Sequence, residues 1–110
     1  MYPLPPVAAK TVTIANGADT SSAADLEHFT VIGIRWPASF TGATVTFLAS
    51  DTGGGTYVEL VDSSGTAVSV TVAAGKVTGY IPDLAGIRFV KVKSASAEAA
   101  ERSVVFICKA

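Results

Sequence analysis

Eight runs rich in Val, Ile, Thr and aromatic residues follow one another along this chain, with starts ten to eighteen residues apart. They occupy residues 10–15, 28–36, 43–50, 56–61, 66–72, 76–81, 87–94 and 102–109, and Gly, Ser, Asp or Pro punctuates the gaps between them. Branched and aromatic side chains suit a pleated, half-buried surface. Short strands at this spacing bury their apolar sides by pairing into a sandwich or barrel. The expected fold is therefore all-β, an antiparallel two-sheet β-sandwich of about eight strands filling residues 10–110. Residues 1–9, with Pro3, Pro5 and Pro6, are expected to form an extended arm, since proline excludes helix here. Tyr2, Leu4 and Val7 make that arm apolar, so it reads either as a solvated tail or as a strap that lies on something. Only residues 21–28 and 96–102 have helical composition, and both are short enough for single turns.

Alternation assigns faces. Ile32, Ile34 and Trp36 fall on one side of their run; Val45, Phe47 and Ala49 share a side, as do Val68, Val70 and Val72. Thr44, Thr46, Ser69 and Thr71 then point the other way. Two runs break the pattern. In the last one Val104, Phe106 and Cys108 oppose Val105 and Ile107, and in 87–92 Ile87 and Phe89 oppose Val90 and Val92. A strand apolar on both faces requires cover on both. In a two-layer fold the outer cover would be a loop, the arm or another subunit.

Gly53, Gly54 and Gly55 raise the question of a phosphate cradle. Such a cradle needs a glycine turn that opens a helix, whose free N–H groups meet the anion. Here the chain continues as TYVELV, a strand, and no Lys-Ser/Thr follows. The triplet is expected to supply positive φ in a hairpin turn, with Asp51 bonding the turn backbone. Residues 62–65, DSSG, read as the same device one hairpin later.

Composition limits the partners. Apolar residues make up 49% and charged residues 15%, against roughly 25% charged in ordinary soluble domains. The low charge fits a Thr/Ser-solvated strand surface, or a surface covered by partner chains. Net charge is −1, which gives no electrostatic support for nucleic-acid binding. No apolar stretch approaches the roughly 20 residues of a membrane helix, and the N-terminus lacks the pattern of a signal peptide. The single cysteine, Cys108, makes no internal disulfide.

Catalytic signals are sparse. His28 is the one histidine, and it reads as a surface or turn residue. Cys108 lies in a strand, where a thiol is an inert apolar group. The aspartates at 19, 25, 51, 62 and 83 are scattered among turn residues; a loop-built calcium site is open, but no EF-hand spacing exists. Glu98 and Glu101 read as a solvated turn beside Arg102. Trp36, Pro37 and Phe40 close a strand end, either as a lid on the core or as a binding aromatic. The expectation is no enzyme, no cofactor and no metal.

The segments VTFLASDTGGGTYVEL (45–60) and LAGIRFVKV (84–92) resemble the strand–turn–strand and the aromatic "IR" strand of discoidin-type β-sandwiches. Residues 29–110, including the IRWPA strand end at 34–38, are similar to small jelly-roll-like β-sandwich structural proteins of tailed bacteriophages. That resemblance implies a non-enzymatic virion protein assembled in the bacterial host cytoplasm. Its expected role is capsid decoration (cement), or a head-fibre part. Partners would be the major capsid protein or other virion proteins, together with copies of itself as a dimer or trimer. Tyr2, Leu4, Val7, Trp36, Phe40, Ile87 and Phe89 are the expected interface residues. The other reading is a discoidin-like carbohydrate- or surface-binding module of a tail or fibre, with Trp36, Phe40 or Tyr57 as stacking platforms. The short loops and single cysteine depart from ligand-binding discoidin domains, so their sugar and lipid sites are not carried over.

Overall fold

The computed structural model describes residues 7–110, so the expected interface residues Tyr2 and Leu4 lie outside the described residues. The architecture is an antiparallel β-sandwich of two sheets. Among the described residues nine strands build it: β1 (Val7–Ile14), β2 (Ala24–Asp25), β3 (Thr30–Arg35), β4 (Thr44–Ser50), β5 (Val58–Glu59), β6 (Ser69–Thr71), β7 (Val77–Thr78), β8 (Phe89–Ser94) and β9 (Arg102–Lys109). One sheet runs β1-β9-β3-β7. The other runs β2-β8-β4-β5, with β6 paired to β4 alongside β5. Each of the eight runs contains one of these strands. The strand expected from Lys10 begins at Val7, so three residues of the expected arm pair along β9.

Residues 21–28 form no helical turn. The Ser21 hydroxyl accepts the Val92 N–H at 2.9 Å, and Ala24–Asp25 pairs with β8. An edge with unpaired backbone groups outweighs the weak helix preference of an Ala-Ala-Asp-Leu segment. Residues 96–102 likewise bend into β9 without a helix.

The core lies between the sheets. Val12, Ile14, Val104, Phe106, Val31 and Ile34 meet Val45, Phe47, Val90 and Val92 across the layer, each essentially without exposure. Phe47 and Phe106 bring ring centroids to 6.4 Å. The expected faces hold for β4 and β9. They fail in β3. Val31 pairs with Cys108 and Gly33 with Ile107, so Ile32 is an extra residue, a β-bulge. The bulge puts Val31, Ile34 and Trp36 inside and leaves Ile32 39% exposed, opposite to the alternation expected for it.

The glycine triplet is a turn, as expected, but it works differently. Positive φ occurs at Gly17, Gly65, Gly75 and Gly86, and at none of residues 53–55. The turn is held by Ser50, not Asp51. The Ser50 hydroxyl donates to the Thr52 carbonyl at 2.8 Å and accepts the Thr52 N–H at 3.2 Å. Gly53 instead makes room: an added Cβ would stand 3.2 Å from the Phe89 ring. The DSSG turn follows expectation, with Asp62 accepting the Ser64 and Thr66 N–H groups and Gly65 at φ 84°.

Candidate functional site

The two outer faces differ in kind. Outside the β2-β8-β4 sheet stand Thr44, Thr46, Ser69, Thr71, Lys91 and Lys93, a Thr/Ser/Lys surface that water solvates. The outer face of the β1-β9-β3-β7 sheet carries an apolar stripe between polar ends, with Thr13 and Ser103 in the row at one end and Lys109 and Thr30 beside Val7 at the other. Its register lays Ala9, Ile107 and Gly33 in one row and Thr11, Val105, Arg35 and Val77 in the next. Val7 and the bulge residue Ile32 flank these rows. Val7 is 67% exposed and Val77 57% exposed, while Val105 and Ile107 are half-buried among their neighbours. Gly33 is tight here, since an added Cβ would lie 3.0 Å from the Thr78 carbonyl and 3.6 Å from Val77. Small residues at 9 and 33 flatten the middle of the face.

Its charged side chains are Arg35, standing between Val105 and Val77, and Lys109 in the end row, both exposed, and among the described residues no carboxylate projects from this face. Contiguous apolar surface on a small protein marks an interaction site more often than a scatter of single residues does. The unusual final strand is thus accounted for: Val104, Phe106 and Cys108 fill the core, and Val105 and Ile107 build the outer stripe.

The expected interface residues do not form one patch. Val7 lies on the apolar face. Trp36 is 3% exposed, donates its Nε1–H to the Thr78 hydroxyl at 2.7 Å, and packs edge-on against Phe40 with centroids 5.8 Å apart. Trp36 therefore closes the end of the core and is neither an interface residue nor a stacking platform; Phe40 is half-buried against it. Ile87 lines an open pocket of about 400 Å³ with Ala49, Asp51, Val58, Gly86 and Arg88 at an end of the other sheet. Phe89 lies under Gly53 and beneath the Arg88 guanidinium, 4.9 Å from its ring centroid. Tyr57 carries Lys91 over its ring and donates to the Gly53 carbonyl at 3.3 Å.

Sequence reasoning misplaced one carboxylate. Glu98 is 1% exposed and accepts four hydrogen bonds: the Thr41 N–H (2.8 Å), the Gly42 N–H (3.0 Å), the Ser94 hydroxyl (2.7 Å) and the Arg102 Nε–H (3.0 Å). Burial pushes its carboxyl pKa up, but the Thr41 amide, the Ser94 hydroxyl, the Gly42 amide and Arg102 outweigh that and hold it below the usual range. It is a structural clasp with no solvated role. Cys108 is fully buried, and burial raises its thiol pKa. His28 is exposed and stacks on Phe29 at 4.4 Å. No group of three metal-ligating side chains occurs among the described residues.

No family model and no curated protein matches the chain by sequence. By structure it is similar to the SPBc2 prophage-derived protein YomS, with a TM-score of 0.65 and 16% identity over 100% of this chain and 98% of that one. A mitogen derived from Yersinia pseudotuberculosis also matches, with a TM-score of 0.43 and 15% identity over 96% of this chain and 86% of that one. The likeness to YomS is one of fold, over the whole length of both chains.

Proposed function

We propose that this chain is a non-enzymatic structural protein of a phage particle, a capsid decoration protein that reinforces the shell by bridging neighbouring capsid subunits. The observation that carries this reading is the apolar stripe on the outer face of the β1-β9-β3-β7 sheet, where Ile32, Val77, Val105 and Ile107 lie with Arg35 among them and Lys109 at one end. The shared fold with a prophage-derived protein supports a phage setting. The mechanism is area burial. Stable specific interfaces bury about 1,200–2,000 Å² in total. Repeated over a symmetric shell, modest contacts add up through effective concentration. Two side chains that could carry chemistry are committed elsewhere: Glu98 to its four donors, Cys108 to the core. The stacking-platform alternative loses Trp36 to the core, which leaves a glycan site without its strongest aromatic.

Co-sedimentation with shells of the encoding phage tests this reading. Ile32→Asp and Val77→Asp place carboxylates on the exposed apolar face without entering the core. Both variants are expected to fold, shown by native Trp36 fluorescence, and to pellet with shells at least tenfold less than the unmodified chain. Equal pelleting of the variants, or none by the unmodified chain, would overturn the proposal.

A further inference from the structure

The strands at the sheet edges are unequal. β2, β5, β6 and β7 are two or three residues long, whereas β1 has eight. Short edge strands are a usual protection against strand-to-strand association, and a long uncharged edge is a template for it. β1 pairs along its whole length with β9 on one side. On its other side, Thr13 gives its carbonyl to the Ser22 N–H at 3.0 Å and its N–H to the Ser22 hydroxyl at 3.1 Å. Antiparallel ladders alternate, so Thr11, Ala9 and Val7 aim their N–H and C=O groups the same way as Thr13. No partner for those six groups occurs among the described residues.

From this geometry we infer that β1 pairs with β1 of a second copy, antiparallel, about a two-fold axis through Ala9. The register follows from what is free. Thr13 is occupied at one end. Pro5 and Pro6, at the other, have no N–H to extend a ladder. Centred on Ala9, Val7 faces the partner's Thr11, Ala9 faces the partner's Ala9, and Thr11 faces the partner's Val7. All six free groups of each strand are then used. The pairing opposes no like charges: Val7, Ala9 and Thr11 are uncharged, and Lys10, on the opposite face of the strand, is paired with Glu27. The small Ala9 at the axis lets the strands approach. The product is one eight-stranded sheet whose outer side joins the apolar stripes of both copies. This goes beyond the shell-binding reading, and it is measured without shells.

Molar mass by light scattering tests it on the full chain. The unmodified protein is expected at twice the 11.2 kDa of one chain, dissociating on dilution. Ala9→Lys and Ala9→Glu set like charges face to face at the axis, so each alone is expected to be a monomer. An equimolar mixture of the two is expected to regain the dimer. Ala9→Pro removes an edge N–H that β9 does not use, and it should also give a folded monomer. In hydrogen exchange, the Val7, Ala9 and Thr11 amides should be at least tenfold more protected in the dimer than in Ala9→Lys. A monomeric unmodified chain at all concentrations, a trimer or larger ring, dimers that survive Ala9→Lys and Ala9→Pro, or protection of these amides in a monomer would each overturn the inference.

Discussion

Glu98 couples residues 94–102 to the 41–42 bend by accepting from both sides. Glu98→Ala would leave the Gly42 N–H and the Arg102 Nε–H without their acceptor. Breaking such a buried cluster costs about 3–5 kcal/mol, so a clear drop in Tm is expected. Because the folded carboxyl pKa is held below its unfolded value, the stabilisation is full above the ordinary glutamate pKa. It is lost as pH falls through the folded value. Urea midpoints measured from neutral to acid pH should fall steeply for the parent chain and more gently for Glu98→Gln. Gly42 belongs to the same cluster: an added Cβ would overlap the Ser94 hydroxyl, so Gly42→Ala should destabilise through the same contact. Cys108, fully buried with a raised pKa, should react with a thiol reagent only at the rate of unfolding.

At the scale of elements, the turns separate by backbone requirement, and glycine count does not predict it. Gly54 has no positive φ and open space around an added Cβ. Gly54→Ala should therefore shift stability by no more than about 0.5 kcal/mol. Gly65 sits at φ 84°, where a side chain costs about 1–2 kcal/mol; Gly65→Ala should be the worse of the pair in thermal melts. The β3 bulge is the element that sequence patterning misses. Strict alternation places Ile32 inside, and only the pairing of both Ile32 and Gly33 against Ile107 reverses it. Deleting Ile32 would restore a regular ladder with Val31 still opposite Cys108 and Ile34 opposite Phe106, both inside, so the shortened chain is expected to fold, shown by a cooperative thermal melt.

At the scale of the whole molecule, the first and last long strands, β1 and β9, pair over eight residues. β9 is also central, between β1 and β3. The apolar sheet therefore forms only when distant parts of the chain meet, and topologies of this kind fold in about milliseconds to seconds. A chain ending before Arg102 should stay unfolded by circular dichroism, because it lacks Val104, Phe106 and Cys108 of the core. The two surfaces of the sandwich divide the work of a sparsely charged chain. The Thr/Ser/Lys face keeps one side in water, and in the proposed role the apolar stripe of the other makes the contact.

The all-β class, the eight strand runs, the grouping of side chains by face in β4 and β9, and the DSSG turn are legible in the amino-acid order alone. These depend on local period and turn chemistry, which each segment carries alone. Tertiary structure decided the rest. It buried Glu98, because four donors from separate segments converge there. It closed Trp36 into the core through Thr78, which lies 42 residues away. It turned Ile32 outward through a bulge that exists only against β9. It also gathered Val7, Ile32, Val77, Val105 and Ile107 from four strands onto one face. A surface made by strand pairing cannot be read from any one strand, because its neighbours are chosen by the fold.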